Sequence, residues 1–240
     1  MSNYQQKVPS PINFIIFDFE TGGVDCEKSA VTEIALISID GSSLKKINEY
    51  QQLIKPYPEL ADFEFEYNPK AAAVSNISLE LLHEEGWDIR TVAEDVLKSF
   101  EQANTYQDKI LKPVLVGQNT MFDINFLHHL MHYGFKLTKT DYQKELERVL
   151  HGRRDYYGNF QPTHLDTWSI AKGWFQEEGE MLNYKLGTIV EKLGVDINNA
   201  HRAMNDVAST TEVLRRYLIN LRSSFQGNQK GGREGFYFPI

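Results

Sequence analysis

The sequence predicts an α/β domain in which helices flank a mixed β-sheet. An uninterrupted apolar run at 14–17 has the composition of a strand that is covered on both faces. Two more strand-like segments follow before any helical spacing begins at residue 78. After that point strand-like and helix-like segments alternate, which is typical of parallel strands joined by helices.

Three strands are predicted in the first third of the chain, at 14–20, 31–39 and 48–56. The turn residues Gly22-Gly23 and Asp40-Gly41 separate these strands. Because successive strands joined by turns usually pair with each other, the segment favours an antiparallel meander.

Helices are predicted over 78–87 and 89–103, and in the second of these Val92 and Val96 recur at the spacing of one helix face. The short apolar segment 113–119 reads as a strand that lies between two helices. A strand in that position is expected to pair in parallel.

The remaining segments predict one domain over 13–222, with an N-terminal extension at 1–12 and a tail at 223–240. Segment 164–172 begins as a further strand or leads straight into a helix, and two more helical segments precede the tail. Residues 139–163 mix charges, tyrosines and glycines, so we predict an insertion made of a helix and a loop. The polar, glycine-rich start of the tail predicts flexibility.

Bulk composition limits the classes of function. The 240 residues include 25 Lys and Arg against 33 Asp and Glu, giving a net charge of −8. A polyanionic substrate would therefore need a local source of positive charge. The single cysteine, Cys26, cannot form an internal disulfide, and no apolar run is long enough to span a bilayer. Together with a start that lacks a signal pattern, these features predict a soluble, cytoplasmic protein with no membrane partner.

Two carboxylates end the first predicted strand. Asp18 and Glu20 are two residues apart, so they project from the same face at the strand's C-terminal end. Adjacent carboxylates repel each other unless a proton or a cation is shared between them, and hard divalent cations prefer oxygen ligands. The pattern indicates a metal site, although a strand end that opens into solvent explains the same residues.

Three further candidates occur in two later helical segments. Asp123 lies near a helix start, where an acid is commonly a cap or a dipole partner. Asp206 borders an apolar stripe that runs along the last helix and includes Ala203 and Val207. His201 lies about 140° around that helix from Asp206, so we expect it at the loop-to-helix junction, where a cap or surface role is the alternative.

These motifs together resemble those of the DEDDh exonucleases, the family of the proofreading epsilon subunit of bacterial DNA polymerase III and of ribonuclease T. The resemblance rests on D-x-E-T-G at 18–22, N-x-x-x-D at 119–123 and H-x-x-x-x-D at 201–206. It spans roughly 13–221 and implies a ribonuclease H-like fold with a five-stranded mixed sheet and helices on both faces.

The same resemblance implies hydrolysis of nucleic acid from a free 3′ end, releasing nucleoside 5′-monophosphates. The expected substrate is DNA, single-stranded or frayed, and a DNA polymerase is a possible partner; monomer and homodimer both stay open. The family's site implies two divalent ions, Mg²⁺ with Mn²⁺ as a substitute. Asp18 would bridge both ions, Glu20 and Asp206 would complete the first, and Asp123 would act partly through water.

His201 matches the family's general base, which takes a proton from the attacking water, and the family variant with Tyr at that position does not match this sequence. An ordinary histidine pKa near 6.5 suits this role at neutral pH. Two ions also clamp the attacking and leaving oxygens of a phosphodiester. They would supply the positive charge that an acidic protein lacks.

The resemblance also implies substrate contacts: Thr21, Gly22, Ile77, Asn119 and Phe122. For Ile77 and Phe122, ordinary core packing is the alternative. The family often has His or Asn where this chain has Ser75, which puts base contacts from that position in doubt.

Three other features have both a functional and a structural interpretation. Glu33 and Asp166 match positions that are often acidic in the family, and we expect supporting roles for both. The basic and aromatic cluster Arg153, Arg154, Tyr156 and Tyr157 either tracks a nucleic acid strand or is an exposed loop, and we favour the loop.

Two competing functions stay open. One is an RNA-trimming exoribonuclease or oligoribonuclease on the same fold. The other is a non-catalytic nucleic-acid-binding module that retains the fold.

Overall fold

The computed structural model describes residues 12–106, 111–175, 181, 183–195 and 202–228. The strands are β1 Phe14–Thr21, β2 Val31–Ile39, β3 Lys46–Leu53, β4 Val114–Gly117, β5 Gly152–Arg154, β6 Phe160–Pro162 and β7 His164–Asp166. The helices are α1 Pro69–Ser75, α2 Leu79–Glu85, α3 Ile89–Ala103, α4 Thr120–Phe135, α5 Tyr142–Val149, α6 Thr167–Phe175, α7 Leu186–Lys192 and α8 Ala203–Asn228, with a 3₁₀ turn at Pro58–Leu60.

The main sheet has five strands in the order β3-β2-β1-β4-β7. The first three strands pair antiparallel, β1 with β2 and β2 with β3. Strand β4 pairs in parallel with β1 on one side and with β7 on the other. The predicted meander, the parallel strand and the five-stranded mixed sheet are therefore confirmed. The segment 164–172, predicted to begin as a strand or to lead straight into a helix, contains both: strand β7 is followed by helix α6 with no loop between them.

The alternation of side chains along β1 separates two cores. Ile15, Phe17 and Phe19 belong to the larger core, which is covered by α3 and α4. Ile16 faces the opposite way and packs in a second core with residues of α8. Since side chains two apart share a face, Asp18 and Glu20 are on the α8 side of the sheet.

The apolar stripe predicted for the last helix is confirmed. Ala203, Val207 and Leu214 are fully buried in the second core. On the solvent side, Arg215 donates to the Leu44 carbonyl at 3.1 Å, and Arg222 donates to backbone carbonyls of the β2–β3 turn. The helix continues to Asn228, so it includes the first six residues of the tail that was predicted to begin at residue 223.

The prediction of a helix and a loop over 139–163 was wrong in its second part. The helix is α5, but the loop is a two-stranded hairpin, β5–β6. Its strands have three residues each, which is too short for a readable alternation. At the turn, Asp155 Oδ1 accepts from the backbone N–H groups of Tyr157 and Asn159, and Gly158 has a φ of +86°.

Two predicted end segments lie mainly outside the described residues: 1–11 of the extension and 229–240 of the tail. In the described ranges, no helix combines the length and the apolar character needed to cross a membrane.

Candidate active site

Three carboxylates meet where β1 ends against the first turn of α8. Asp18 and Glu20 come from β1 and Asp206 from α8, and one oxygen of each lies within 4.8 Å of the others. All three side chains are partly exposed, so an ion can reach them. This donor set of hard oxygens fits a divalent cation such as Mg²⁺. We call Asp18, Glu20, Asp123 and Asp206 the acidic cluster.

The fourth member, Asp123, approaches from a different element. It is only 2% exposed and lies in the first turn of α4, directly after β4. Its Oδ1 accepts the Phe19 N–H at 3.2 Å. The last β1–β4 pair is Ile16 with Val116, so that N–H lies beyond the reach of β4. Asp123 therefore supplies a hydrogen-bond acceptor to β1 where β4 no longer pairs with it, in addition to any role with a cation.

Burial and mutual repulsion raise the pKa values of three members of the cluster, Asp18, Glu20 and Asp123. Burial raises the pKa of Glu20 to about 8, assisted by the charges of Asp206 and Glu33 and opposed by Arg202. The pKa of Asp18 is raised well above its usual value, first by burial and next by the charge of Asp123. Burial also raises the pKa of Asp123, against the Phe19 hydrogen bond. Without a cation, the cluster would hold protons at neutral pH, and a cation would displace them.

Glu33 anchors the start of α8 to the sheet. Its side chain is fully buried and stands opposite Glu20 in the β1–β2 pairing. Arg202 donates to it through Nη2 at 2.8 Å and through Nε at 3.3 Å. The Ala203 N–H also donates to it, at 3.3 Å, and Gln51 Nε2 donates at 2.8 Å. Glu33 therefore has the expected supporting role: it holds the start of α8 against β2 through Arg202 and the Ala203 N–H.

Arg202 is a residue that the sequence reasoning missed. Its carbonyl accepts the N–H of Asp206 at 3.2 Å, so the Glu33–Arg202 pair sets the first turn that carries Asp206. The sequence did contain a signal that could have pointed to this residue, because Arg202 directly follows His201 in the third motif. His201 itself lies outside the described residues.

The predicted substrate contacts after D-x-E form internal hydrogen bonds. Thr21 Oγ1 donates to the Gly23 carbonyl at 2.6 Å. The Gly22 N–H donates to Ala30 at 2.8 Å, and its carbonyl accepts from Asn68 at 2.6 Å. A Cβ at Gly22 would stand 2.1 Å from the Glu66 carbonyl oxygen, so only glycine fits this crossing.

The other three predicted substrate contacts differ in how far they are exposed to solvent. Ile77 is 3% exposed and packs with Leu53 and Leu82, which corresponds to the core-packing alternative and offers almost no surface to a ligand. Phe122 is partly buried against the larger core. Asn119 is exposed, with a left-handed φ of +60° at the junction of β4 and α4.

Asp166 supports that junction. Its Oδ1 accepts the N–H of Asn119 at 3.2 Å and the N–H of Trp168 at 2.9 Å. The carboxylate therefore ties the end of β4 to the start of α6. This is the supporting role that the sequence led us to expect.

The basic and aromatic cluster at the β5–β6 hairpin is far from the acidic cluster along the sheet. Tyr156 and Tyr157 are 96% and 84% exposed, and Arg154 pairs with Glu147 at 2.6 Å. The hairpin is hydrogen-bonded to residues that precede β4 and β7, at the end of the sheet opposite the acidic cluster. This placement agrees with the exposed-loop interpretation.

The chain is similar to known proteins in sequence and in structure. A family model of exonucleases, RNase_T, matches residues 15–214. The DNA polymerase III PolC-type protein of Thermotoga maritima is 27% identical over 205 residues, which are 85% of this chain and 12% of that protein. The 3′-5′ exonuclease DinG of Staphylococcus saprophyticus is 22% identical over 201 residues, 84% of this chain and 17% of that protein. The chain thus spans less than a fifth of each of these relatives.

Solved structures share the fold. E. coli Exonuclease I in complex with a dT13 oligonucleotide superposes with a TM-score of 0.65 at 18% identity, over 90% of this chain and 42% of that one. The product-bound structure of exonuclease I gives a TM-score of 0.61 at 17% identity, covering 89% of this chain and 46% of that one.

Proposed function

Because the chain belongs to the RNase_T exonuclease family, we propose that it hydrolyses nucleic acid from the 3′ end and releases nucleoside 5′-monophosphates. The observation that carries this proposal is the acidic cluster. Carboxylates from β1 and α8 converge within 4.8 Å, and Asp123 adds its charge from α4. These four residues are the acids of the three motifs that resemble those of the family.

The residues present fit divalent cations. Asp18, Glu20 and Asp206 would hold one ion, and Asp18 with Asp123 a second, with Mg²⁺ as the expected metal and Mn²⁺ as a substitute. Such ions supply positive charge to the phosphoryl oxygens and favour hydroxide from bound water. The chain's own part is to hold these carboxylates close together at a partly exposed strand end, where their repulsion is relieved only by cations or protons.

His201 is proposed as the general base. Histidine in general has a pKa that suits a base accepting a proton from water at neutral pH. Support comes from its position next to Arg202, whose contacts with Glu33 fix the start of α8.

DNA with a single-stranded or frayed 3′ end is the proposed substrate. Support comes from the relatives, which include DNA polymerase III PolC-type proteins, and from the DNA-bound E. coli Exonuclease I among the structural neighbours. Association with a DNA polymerase and a cytoplasmic location stay predictions.

The test is digestion of 5′-labelled oligonucleotides of DNA and RNA, with and without Mg²⁺. We expect a ladder that shortens from the 3′ end, loss of activity in EDTA and recovery with Mn²⁺. Asp206→Asn should abolish the ladder, whereas Asp62→Asn, a matched change at an exposed acid, should not. Undiminished digestion in EDTA, internal cleavage, or full activity of Asp206→Asn would contradict the proposal. Faster digestion of RNA than of DNA would overturn the choice of substrate alone.

A further inference from the structure

A cavity of about 550 Å³ lies beside the acidic cluster, between the end of β4, the start of α6 and the residues before α7. Its wall includes Asn119, Asp166, Trp168, Tyr184 and Lys185. We call it the Trp168 cavity. None of the catalytic roles proposed above uses it.

The cavity adjoins the Asp123 side of the cluster. Asn119 lines it, and the first turn of α4 that follows Asn119 carries Asp123. Asp166 also lines it, and its charge raises the pKa of Asp123. A strand whose terminal phosphodiester lies at the cluster therefore has this cavity as a neighbouring space.

Two aromatic rings form part of the wall. Trp168 is 41% exposed, so part of its indole ring is accessible to a ligand. The ring of Tyr184 stands at 74° to the indole, with the centroids 6.1 Å apart. Planar aromatic surfaces of this kind stack on nucleobases without strong preference for sequence.

Positive charge accompanies the rings. Lys172 Nζ lies 5.0 Å from the centroid of the Trp168 ring, and Lys185 is exposed on the cavity wall. Within the part of the chain that the structure describes, neither lysine forms an ion pair. In a chain of net charge −8, two such ammonium groups provide a local attraction for a phosphate backbone.

The wall is held in place by hydrogen bonds. Gln118 Nε2 donates to the Tyr184 carbonyl at 2.8 Å, and Gln118 Oε1 accepts from Thr167 Oγ1 at 2.6 Å. Asp166 fixes the N–H of Trp168 at 2.9 Å. Both aromatic residues are thus tied to the end of β4, so the surface is preformed rather than assembled on binding.

We propose that the Trp168 cavity is a subsite for a nucleobase of the substrate strand, on the 5′ side of the nucleotide that is removed. The base stacks on Trp168 or Tyr184, and Lys172 and Lys185 contact the adjoining phosphates. The inference rests on the proposed exonuclease function. The subsite would bind the strand at a second place, in addition to the acidic cluster.

The first test compares a long substrate with a minimal one. Trp168→Ala should raise KM for a ten-nucleotide DNA strand by about fivefold to about a hundredfold, the range for loss of one base–aromatic stack. Hydrolysis of the p-nitrophenyl ester of thymidine 5′-monophosphate, which has a single base, should stay unchanged. Trp168→Phe should restore most of the affinity for the long strand. Trp87→Ala, at a similarly exposed tryptophan, is the matched control.

A second test locates the base. In strands with one abasic position second, third or fourth from the 3′ end, one position should raise KM for release of the first nucleotide. That position should have no further effect in Trp168→Ala. Equal KM for all strands in both proteins would overturn the proposal, and so would an equal loss of activity toward the ester in Trp168→Ala.

Binding without turnover separates this proposal from the function on which it rests. In EDTA, the ten-nucleotide strand should quench tryptophan fluorescence in the wild type and in Trp87→Phe, but not in Trp168→Phe. Quenching in a protein that hydrolyses neither substrate would refute the exonuclease and keep the base subsite. Turnover of both substrates with no quenching and no effect of Trp168→Ala would refute the subsite alone.

Discussion

Replacing Arg202 by methionine tests the anchor between β2 and α8. Methionine is similar in length to arginine but carries no charge, so the fully buried Glu33 carboxylate would keep only the Gln51 amide and the Ala203 N–H. Glu33→Gln is the complementary change, because it removes the charge and leaves no carboxylate without its partner.

The structure suggests unequal costs for the two variants. Removing one partner of a buried ion pair costs about 3–5 kcal/mol, whereas an exposed pair contributes about 0–1 kcal/mol. The Glu33 side chain is 1% exposed and that of Arg202 39% exposed, so the pair lies between these cases. We expect Arg202→Met to lose about 2–3 kcal/mol of unfolding free energy. Glu33→Gln should lose about 1–2 kcal/mol, since it weakens charged hydrogen bonds but relieves repulsion.

Their effects on the acidic cluster should be opposite in sign. The charge of Glu33 raises the pKa of Glu20 and the charge of Arg202 lowers it. Arg202→Met should therefore weaken Mn²⁺ binding at neutral pH and move the pH dependence of binding upward. Glu33→Gln should move that dependence downward.

Urea unfolding measures the stability of both variants, and Mn²⁺ titration across pH 6–9 measures the shift. A shift of the same sign in both variants would refute the electrostatic part of this reasoning. Equal stability of Arg202→Met and the wild type would refute the anchor. A loss of stability alone, without any shift, is what a purely structural pair would give.

Three further predictions concern protons and hydrogen bonds. Since the pKa of Glu20 is about 8 without metal, cation binding should release at least one proton below that pH. The apparent Mn²⁺ affinity should then rise by at least about tenfold per pH unit up to pH 8, and calorimetry in buffers of different ionisation enthalpy should detect the released protons. Burial lowers the pKa of His129 to about 4, below the unfolded value of 6.5. The unfolded state therefore takes up this proton first, and about 3 kcal/mol of stability is lost as the pH falls from 6.5 to 4. Urea unfolding of His129→Gln should lack that component, and an identical pH profile in the variant would contradict the assignment. Asp123→Asn keeps an acceptor for the Phe19 N–H and should stay folded with activity reduced by at least about a hundredfold, whereas Asp123→Ala should also lose about 1–3 kcal/mol of stability by urea unfolding. A fully active Asp123→Asn would remove this residue from the site.

The sequence by itself determined much of the fold. The uninterrupted apolar run before Asp18, the strand-like composition of β2 and the regular helical spacing in α3 are patterns that a single segment reveals without its neighbours. The hairpin β5–β6 was not predicted because strands of three residues are too short to show such a pattern. The motif order also identified the acidic cluster, since the types and intervals of those residues are specific.

Only the tertiary structure decided which distant groups meet. Local periodicity places Asp206 on one side of a helix, but packing of α8 on the sheet brings it within 4.8 Å of Asp18 and Glu20. Packing also pairs Glu33 with Arg202 across 169 residues of chain. It buries Ile77 and opens a cavity at Trp168. Contacts between remote segments depend on the summed packing of all the elements between them, which the pattern of any one segment does not contain.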